Sequence, residues 1–394
     1  MELLNKQLAK EFLQRALAAE SYEEMFSHLL NLLAFLERTI YLQNTTNDKG
    51  NGFRPRKLHA GSLTFDLLVP RTRTGAYRPF FLPEKWKRNS PEDFINLAHA
   101  LILSSRSIEA AKRAIKELGL PISEEYLEEI LSKLQQEFRA LNNSPLSADW
   151  FSLTFDAKEI SVMSNGVIVP YTLYTVIGTS LEGERRILLS LIKEGKETLE
   201  GWKEVLKNLL SRGVRRALIV THDDFSGLAR MVESYFPKVD VQLCVVHFLR
   251  NLKKQLPPKC FKKVREFLDS IKNAVSYEYG FSLFEQMLKL IEEVNPSYAN
   301  RIRRKKQYYI SFLKYPKEVR RSLYSSNLAE SINKKIKDAE QLGGGYFHSL
   351  RNLEVRLALV VRELHCGRWK KKVPIVAKIK HFLYMLFEER FGDE

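Results

Sequence analysis

Apolar positions in the middle of the chain follow two patterns, short runs rich in β-branched and aromatic residues and longer stretches with helical spacing. The short runs predict five strands, at Trp150–Phe155, Val167–Gly178, Arg185–Ile192, Ala217–Thr221 and Val239–Leu243. The helical spacing predicts amphipathic helices over Thr198–Ser211 and Ser226–Phe236, which separate the last three strands. Three strands in succession favour an antiparallel meander, and strands alternating with helices favour parallel crossovers. We therefore predict an α/β fold with a mixed sheet.

The first 90 residues contain fewer strand patterns. Residues 1–43 carry apolar residues at helical spacing, and the turn-rich Asn44–Gly52 is predicted to be a flexible linker. Leu63–Val69 has a strand pattern, and Pro70–Gly75 is predicted to be a basic turn after it. This part of the chain is therefore predicted to be mainly helical, with short basic strands.

Helical patterns return on both sides of the predicted sheet. Over residues 90–140 two helices separated by Gly119–Pro121 resemble a helix-turn-helix, with candidate N-caps at Ser90, Ser107 and Ser123. A very basic helical region covers Leu252–Ser322, and a further helix follows from about Leu328. Glycines break that helix, and another helix is predicted from about Ser349 to Leu364. The sheet is thus predicted to lie between two mainly helical regions.

The net charge of the chain indicates which class of partner it binds. Lys and Arg number 63 against 47 Asp and Glu, which gives a formal net charge of +16. A surplus of this size indicates an anionic partner, and double-stranded DNA is the first candidate. Basic side chains in the strand-like N-terminal segment and in the helical region are the candidate DNA contacts, namely Arg54, Arg56, Arg71, Arg73, Arg301, Arg303, Arg304, Lys305 and Lys306. Tyr308, Tyr309, Phe312 and Tyr315 interleave with the second group, and a helix with an aromatic core stripe is the alternative interpretation.

Composition excludes several other classes of protein. Hydrophobic residues make up 44% and charged residues 28% of the 394, which is ordinary for a folded globular protein. No apolar run reaches the length of a membrane helix, and the N-terminus has no secretory pattern. Three cysteines cannot build a disulfide framework. We expect a soluble, cytoplasmic, nucleoid-associated protein.

Two acidic residues lie at predicted strand ends. Asp156 directly follows the first predicted strand, and Asp223 follows the fourth. In a sheet of ribonuclease-H-like type these two strands are neighbours, so the carboxylates would meet, as catalytic groups do at strand ends. Glu330 lies in the first turn of a predicted helix, with Asn333 and Lys334 on the same face. A turn former, a helix cap or a favourable helix-dipole charge is the alternative role for each acidic residue.

Cys244 and His247 form a Cys-x-x-His pair just after the fifth predicted strand. The pair could ligate zinc, but a closed zinc site needs four ligands, and neither Cys260 nor Cys366 pairs with a histidine at convincing spacing. A packing or hydrogen-bonding role at the strand-to-helix junction is favoured, and the zinc alternative stays open.

These motifs together resemble the catalytic core of Mutator-like transposases of bacterial and archaeal insertion sequences. The resemblance covers most of residues 50–370 and rests on Asp156, His222–Leu228, Phe236–Pro237, Gln242, Cys244, His247, Arg250–Asn251 and Asn327–Asn333, with Asn51–Arg56 and Val69–Arg73 similar to the family's DNA-binding region. Asp224 stands where the family has glycine. Glu159 is discounted as a ligand because strand alternation places it opposite Asp156.

The resemblance implies a DDE triad of Asp156, Asp223 and Glu330, which would hold two Mg²⁺ (or Mn²⁺) ions. Such ions activate an attacking oxygen and stabilise a leaving one. The implied activity is hydrolysis at transposon ends followed by 3′-hydroxyl strand transfer into target DNA. The implied partners are terminal inverted repeats, target DNA and further copies of the chain, as a homodimer or larger oligomer. A metal-dependent nuclease without strand transfer and a non-catalytic DNA-binding relic are the alternatives.

The changes of pattern and charge also predict a division of the chain. The predicted segments are an N-terminal DNA-binding region (1–145), a ribonuclease-H-like catalytic core in two parts (146–251 and 323–365), a basic helical insertion between them (252–322) and a basic C-terminal tail (366–394). Lys334 joins the candidate DNA contacts because it lies one turn from Glu330.

Overall fold

The computed structural model describes residues 2–45, 47–60, 63–82, 92–118, 122–325, 327–367 and 369–392. The chain divides into two compact units, Met1–Ile102 with Ile108–Ile130 and Leu103–Ser107 with Leu131–Glu394. No helix in the described parts of the chain is long and apolar enough to cross a membrane. The predicted five-segment division stays a prediction.

The first unit begins with two helices and a hairpin: α1 (Glu2–Leu17), α2 (Tyr22–Gln43), β1 (Gly50–Ala60) and β2 (Leu63–Thr72). Ser21 caps α2 by accepting a hydrogen bond from the backbone N–H of Glu24 at 3.1 Å. The strands pair antiparallel, with Arg56 opposite Leu67. The predicted linker is therefore shorter than expected, because the strand β1 already starts at Gly50, and Arg71 belongs to a strand rather than to a turn.

Three helices follow, α3 (Glu92–Ser104), α4 (Ile108–Glu117) and α5 (Glu124–Asn143). The hydroxyl of Ser123 accepts a hydrogen bond from the N–H of Tyr126, as predicted for an N-cap. Helix α4 begins directly after Ser107, as predicted. The predicted cap at Ser90 and the separator Gly119–Pro121 lie outside the described residues.

A five-stranded mixed sheet forms the centre of the second unit, in the order β5-β4-β3-β6-β7. Its strands are β3 (Asp149–Ser164), β4 (Val167–Thr179), β5 (Arg185–Glu194), β6 (Arg216–His222) and β7 (Asp240–Leu243). The first three strands pair antiparallel, and β6 and β7 join β3 in parallel. The predicted meander and parallel tail are confirmed.

The strand β3 is longer than predicted. Asp156 does not end it but lies in its interior, opposite Thr175 of β4. The strand continues to Ser164 because Asn165 and Gly166, both with positive φ, close a two-residue hairpin into β4. The prediction that Asp156 ends its strand is therefore wrong.

Helices cover both faces of the sheet. On one face α6 (Leu199–Ser211) and α7 (Leu228–Tyr235) pack against the strands, and the Phe155 and Trp202 rings stack at 5.6 Å. The other helices are α8 (Val245–Gln255), α9 (Pro258–Lys272), α10 (Tyr277–Glu292), α11 (Pro296–Arg303), α12 (Lys306–Ile310), α13 (Lys317–Leu323), α14 (Asn327–Leu342), α15 (Leu350–Cys366), α16 (Pro374–Lys378) and α17 (Lys380–Phe391), with a 3₁₀ turn at Ser311–Lys314. A second core joins α8–α13, α16 and α17 to the sheet through Phe151 and Leu218.

Candidate active site

The two aspartates lie on neighbouring strands. Thr154 of β3 is in register with Thr221 of β6, so Asp156 and Asp223 each come two residues later along parallel strands. Asp156 is buried, with only 4% of its surface exposed, whereas the Asp223 side chain is 38% exposed. The register therefore brings one buried and one accessible carboxylate to the same place.

Helix α14 supplies the third carboxylate. Glu330 lies in its first turn, and Asn333 follows three residues later on the same side. The side-chain amide of Asn333 donates a hydrogen bond to Oδ2 of Asp156. This contact fixes the start of α14 over β3, and the charges of both Glu330 and Asp223 act on Asp156. The three predicted carboxylates thus converge.

Helix α8 supplies two cationic partners. Nδ1 of His247 contacts Oδ1 of Asp223, and Nη2 of Arg250 lies 2.7 Å from Oε1 of Glu330. The two side chains are three residues apart and share one face of the helix. Asn251, the next residue, is exposed. One face of α8 therefore pairs with two of the three carboxylates.

Asp156 has a strongly perturbed carboxyl group. Burial is the largest cause and raises its pKa, and the neighbouring charge of Asp223 raises it further. The hydrogen bond from Asn333 and the charge of His247 lower the pKa, and Glu330 raises it, with a result of about 7. The carboxyl group is thus partly protonated at neutral pH in the absence of a metal ion.

His247 carries the opposite perturbation. Burial alone would lower its pKa, but its contacts with Asp223 and Cys244 raise the pKa to about 10. The imidazole is therefore protonated at neutral pH and forms an ion pair with Asp223. Three positive contributions compensate the negative charge of the cluster: a proton on Asp156, the imidazolium of His247 and the guanidinium of Arg250.

Cys244, His247 and Asp223 bring one sulfur, one nitrogen and one oxygen atom within 4.8 Å of one another. Three such ligands are one fewer than a closed zinc site uses. Cys244 also lies at the N-terminus of α8, where its backbone N–H donates to the carbonyl of His222 at 2.8 Å. These contacts agree with the favoured structural role of the Cys-x-x-His pair, and zinc binding is the alternative interpretation.

Asp224 forms its hydrogen bonds with a different part of the chain. Its two carboxylate oxygens accept hydrogen bonds from Nζ of Lys305 at 2.5 Å and from the hydroxyl of Tyr309 at 3.1 Å. It therefore joins the end of β6 to α12 and the residue before it. Of the two adjacent aspartates, Asp223 is the one that contacts His247.

Two further carboxylates lie nearby. Glu159 is exposed and lies on the strand face of Phe155 and Ala157, opposite Asp156, as predicted. Glu197, which the sequence analysis missed, accepts a hydrogen bond from the Trp202 indole at 2.7 Å. Burial raises its pKa, as do the charges of Asp223 and Glu159, whereas the Trp202 hydrogen bond lowers it. No motif marks Glu197, and its position just before the N-cap Thr198 was the one available signal.

The candidate DNA contacts fall into three groups, on the β1–β2 hairpin, on α14 and in the basic run 301–306. Arg54 and Arg56 lie on β1, and Arg71 and Arg73 lie on or just after β2, so one hairpin carries all four. The exposed Lys334 lies on α14, one turn after Glu330. The hairpin thus carries four of the candidate contacts, whereas Lys334 lies beside the carboxylates.

The basic run 301–306 is largely paired with acidic residues. Arg303 bonds Glu292 at 2.7 Å, Lys305 bonds Asp224, and Lys306 bonds Glu285 at 2.6 Å. Arg301 and Arg304 are exposed, and Arg301 packs over the Tyr298 ring. Tyr309, Phe312 and Tyr315 are buried in the core, where they cannot stack on bases. The core-stripe interpretation of these three aromatic residues is the correct one.

Comparison with known proteins agrees with the resemblance. The family described as "Transposase, Mutator family" matches residues 4–371. A probable transposase for an ISRM3-like insertion sequence element of Sinorhizobium fredii is 24% identical over 98% of this chain and 99% of its own length. The IS1081 transposase of Mycobacterium tuberculosis is 25% identical over 74% of this chain and 70% of its own length. A solved Drosophila P element transposase strand transfer complex covers 79% of this chain and 82% of its own, at 11% identity and a TM-score of 0.29. The family match spans nearly the whole chain, and the protein belongs to the Mutator family of transposases.

Proposed function

We propose that this transposase hydrolyses a phosphodiester at the ends of its insertion sequence and joins the freed 3′-hydroxyl to target DNA. The observation that carries the proposal is the convergence of Asp156, Asp223 and Glu330 from β3, the end of β6 and the start of α14. The strand order and directions support a ribonuclease-H-like core. Residues 252–322, within the long chain between Asp223 and Glu330, then form the helical insertion, and the predicted segments 1–145 and 366–394 flank the core.

The donor atoms suit hard divalent cations. Three carboxylates and the amide of Asn333 offer mainly oxygen ligands, which Mg²⁺ or Mn²⁺ prefers. Two such ions held by Asp156, Asp223 and Glu330 would activate the attacking oxygen and stabilise the leaving oxygen. The sulfur and nitrogen atoms of Cys244 and His247 suit these ions less well, which favours a supporting role for both residues.

The side chains around the triad have distinct tasks in this proposal. Asn333 orients the buried Asp156, so that its carboxylate keeps one position on β3. His247 and Arg250 hold Asp223 and Glu330 in place by charge. A divalent cation bound beside Asp156 would favour its ionised carboxylate, because a nearby positive charge lowers a carboxyl pKa.

Basic surfaces would position the DNA. The hairpin arginines Arg54, Arg56, Arg71 and Arg73, together with Arg301, Arg304 and Lys334, are the proposed phosphate contacts. The proposed partners are the terminal inverted repeats, target DNA and other copies of this chain. Pairing two transposon ends requires at least a homodimer.

The experiment uses purified full-length protein and a labelled duplex that carries the terminus of its own element. Nicking at the terminus and joining to a second duplex are compared in Mg²⁺ and in EDTA. Asp156→Asn, Asp223→Asn and Glu330→Gln are expected to abolish both steps, while Glu159→Gln on the opposite face of β3 keeps them.

The alternatives predict different outcomes. Metal-dependent nicking without joining would indicate a nuclease of the same fold and overturn strand transfer. Terminus binding without cleavage, on single and on paired ends, would indicate a DNA-binding relic. Full activity in any of the three triad variants would overturn the proposed site.

A further inference from the structure

An apolar stripe runs along the solvent side of α2. Its six members are 37–77% exposed, namely Tyr22, Phe26, Leu29, Leu33, Leu36 and Ile40. A helix on the surface of a protein normally presents polar residues to water. Between residues 22 and 40 the only exposed polar side chain is that of Glu24. This face of α2 therefore exposes far more apolar surface than water favours.

The spacing of the stripe is that of a coiled-coil seam. Successive members are four, three, four, three and four residues apart, which is the a/d pattern of a heptad repeat. Tyr22, Leu29 and Leu36 occupy d positions, and Phe26, Leu33 and Ile40 occupy a positions. When two helices supercoil around each other, an average apolar spacing of 3.5 residues keeps the seam facing the partner along the helix.

The opposite side of α2 already has its partners. Ser27 accepts a hydrogen bond from the N–H of Asp66 at 3.0 Å, and Oδ1 of Asn31 accepts one from the N–H of Leu68 at 2.6 Å. Phe35 packs against Phe12 of α1, with ring centroids 6.4 Å apart. These contacts fix the rotation of α2 on the hairpin, so the stripe belongs to a rigid surface rather than to a mobile helix.

We propose that this stripe, Tyr22 to Ile40 of α2, is a self-association surface that pairs with the same stripe of a second copy of the chain. Among the described helices no other exposes a matching run of large apolar residues. An identical stripe is self-complementary, as a two-fold interface requires. A helix of 22 residues is about 33 Å long. Two such seams would bury on the order of 1,000 Å², which reaches the lower limit for a biological interface.

This inference locates the self-association that the proposed function requires, and it is tested without DNA or metal. The full chain, 45.9 kDa as a monomer, is measured by sedimentation equilibrium and is expected to have twice that mass. Leu29→Glu/Leu33→Glu and Leu29→Lys/Leu33→Lys are each expected to be monomeric. Mixing them is expected to restore the dimer, because the centre of the seam then pairs opposite charges in either helix orientation.

Controls separate the stripe from general effects. Phe382→Glu/Met385→Glu, at exposed apolar positions on α17, is expected to stay dimeric. Circular dichroism checks folding. If a charged variant misfolds, Leu29→Ala/Leu36→Ala takes its place, because alanine is a strong helix former. This variant is expected to weaken association at least tenfold.

Three results would overturn the inference: a monomeric wild type, stripe variants that remain dimeric, or folded Glu and Lys variants that fail to pair when mixed. A monomer that still nicks the terminus in Mg²⁺ would reject the stripe and leave the chemistry of the carboxylates intact. A stripe-dependent dimer that does not nick the terminus would support the stripe and reject the proposed chemistry of the carboxylates.

Discussion

The carboxylate cluster and the basic run 301–306 both concentrate like charges, but the two regions compensate them differently. In the basic run, Arg303, Lys305 and Lys306 each have a carboxylate partner on another element. In the cluster, two carboxylates pair with cations, while Asp156 is buried and has a pKa of about 7. The basic run is thus largely neutralised by carboxylates on other elements, whereas the carboxylate cluster is neutralised partly by a proton on Asp156, which a bound cation could replace.

The largest expected effect is on the free energy of unfolding, which the buried Asp156 lowers when it is ionised. Its pKa is raised from 3.8 to about 7 in the folded chain, so stability is lost as the pH rises from about 4 to about 7 and the loss is complete above that range. The shift corresponds to at most roughly 4 kcal/mol. Without metal, Asp156→Asn is therefore expected to be more stable than wild type at pH 8 and to lose this advantage near pH 4. Urea unfolding in EDTA at both pH values measures the difference, and an equal difference at both would contradict the assignment.

Asn333 should matter for activity more than for folding. Asn333→Ala removes the hydrogen bond to Asp156 and is expected to lower Mg²⁺-dependent nicking by roughly 10- to 100-fold, as loss of a supporting contact to a metal ligand does. The rate is measured as a function of Mg²⁺ concentration, with Gln341→Ala at an exposed position of the same helix as control. Equal rates in the two variants would remove Asn333 from the site.

The Asp224–Lys305 pair should contribute to stability and not to chemistry. A double-mutant cycle with Asp224→Asn and Lys305→Met is expected to give a coupling energy of about 1 kcal/mol, since both side chains are mostly buried and well aligned. The more exposed pair Lys335–Glu363 is the control, with an expected coupling below about 0.5 kcal/mol. Equal coupling energies would mean that burial does not strengthen the first pair.

The smallest expected effect distinguishes free from paired cations in the basic run. Arg304→Gln is expected to reduce the salt dependence of DNA binding by about one phosphate contact, whereas Lys306→Gln, whose charge is paired with Glu285, changes it little. Binding isotherms at several salt concentrations give both slopes. A larger change for Lys306→Gln would show that its ion pair opens on DNA.

The sequence was sufficient for the order of strands and for the three carboxylates. Short runs rich in β-branched and aromatic residues marked all five strands, and the strand order brought Asp156 beside Asp223 as expected. The true end of β3 was missed because Lys158, Glu159 and Ser161 look like loop residues, although they pair with β4. Polar residues can continue a strand when a tight hairpin supplies the partner strand.

Contacts between distant residues could not be predicted. Arg250 meets Glu330 across 80 residues, and Asn333 meets Asp156 across 177. The pairing of Lys305 and Lys306 depends on carboxylates from β6 and α10, which the local charge pattern does not reveal. Charge density along the sequence therefore overstated the free positive surface of the run 301–306.

The most direct test of the central claim compares the two adjacent aspartates. Nicking of the element's terminus in Mg²⁺ is measured for Asp223→Asn and Asp224→Asn under conditions where both variants are folded. We predict no detectable nicking for Asp223→Asn, a loss of at least about 10³-fold for several kcal/mol of lost stabilisation, and near wild-type rates for Asp224→Asn. The reverse pattern would contradict the assignment of Asp223 to the catalytic site.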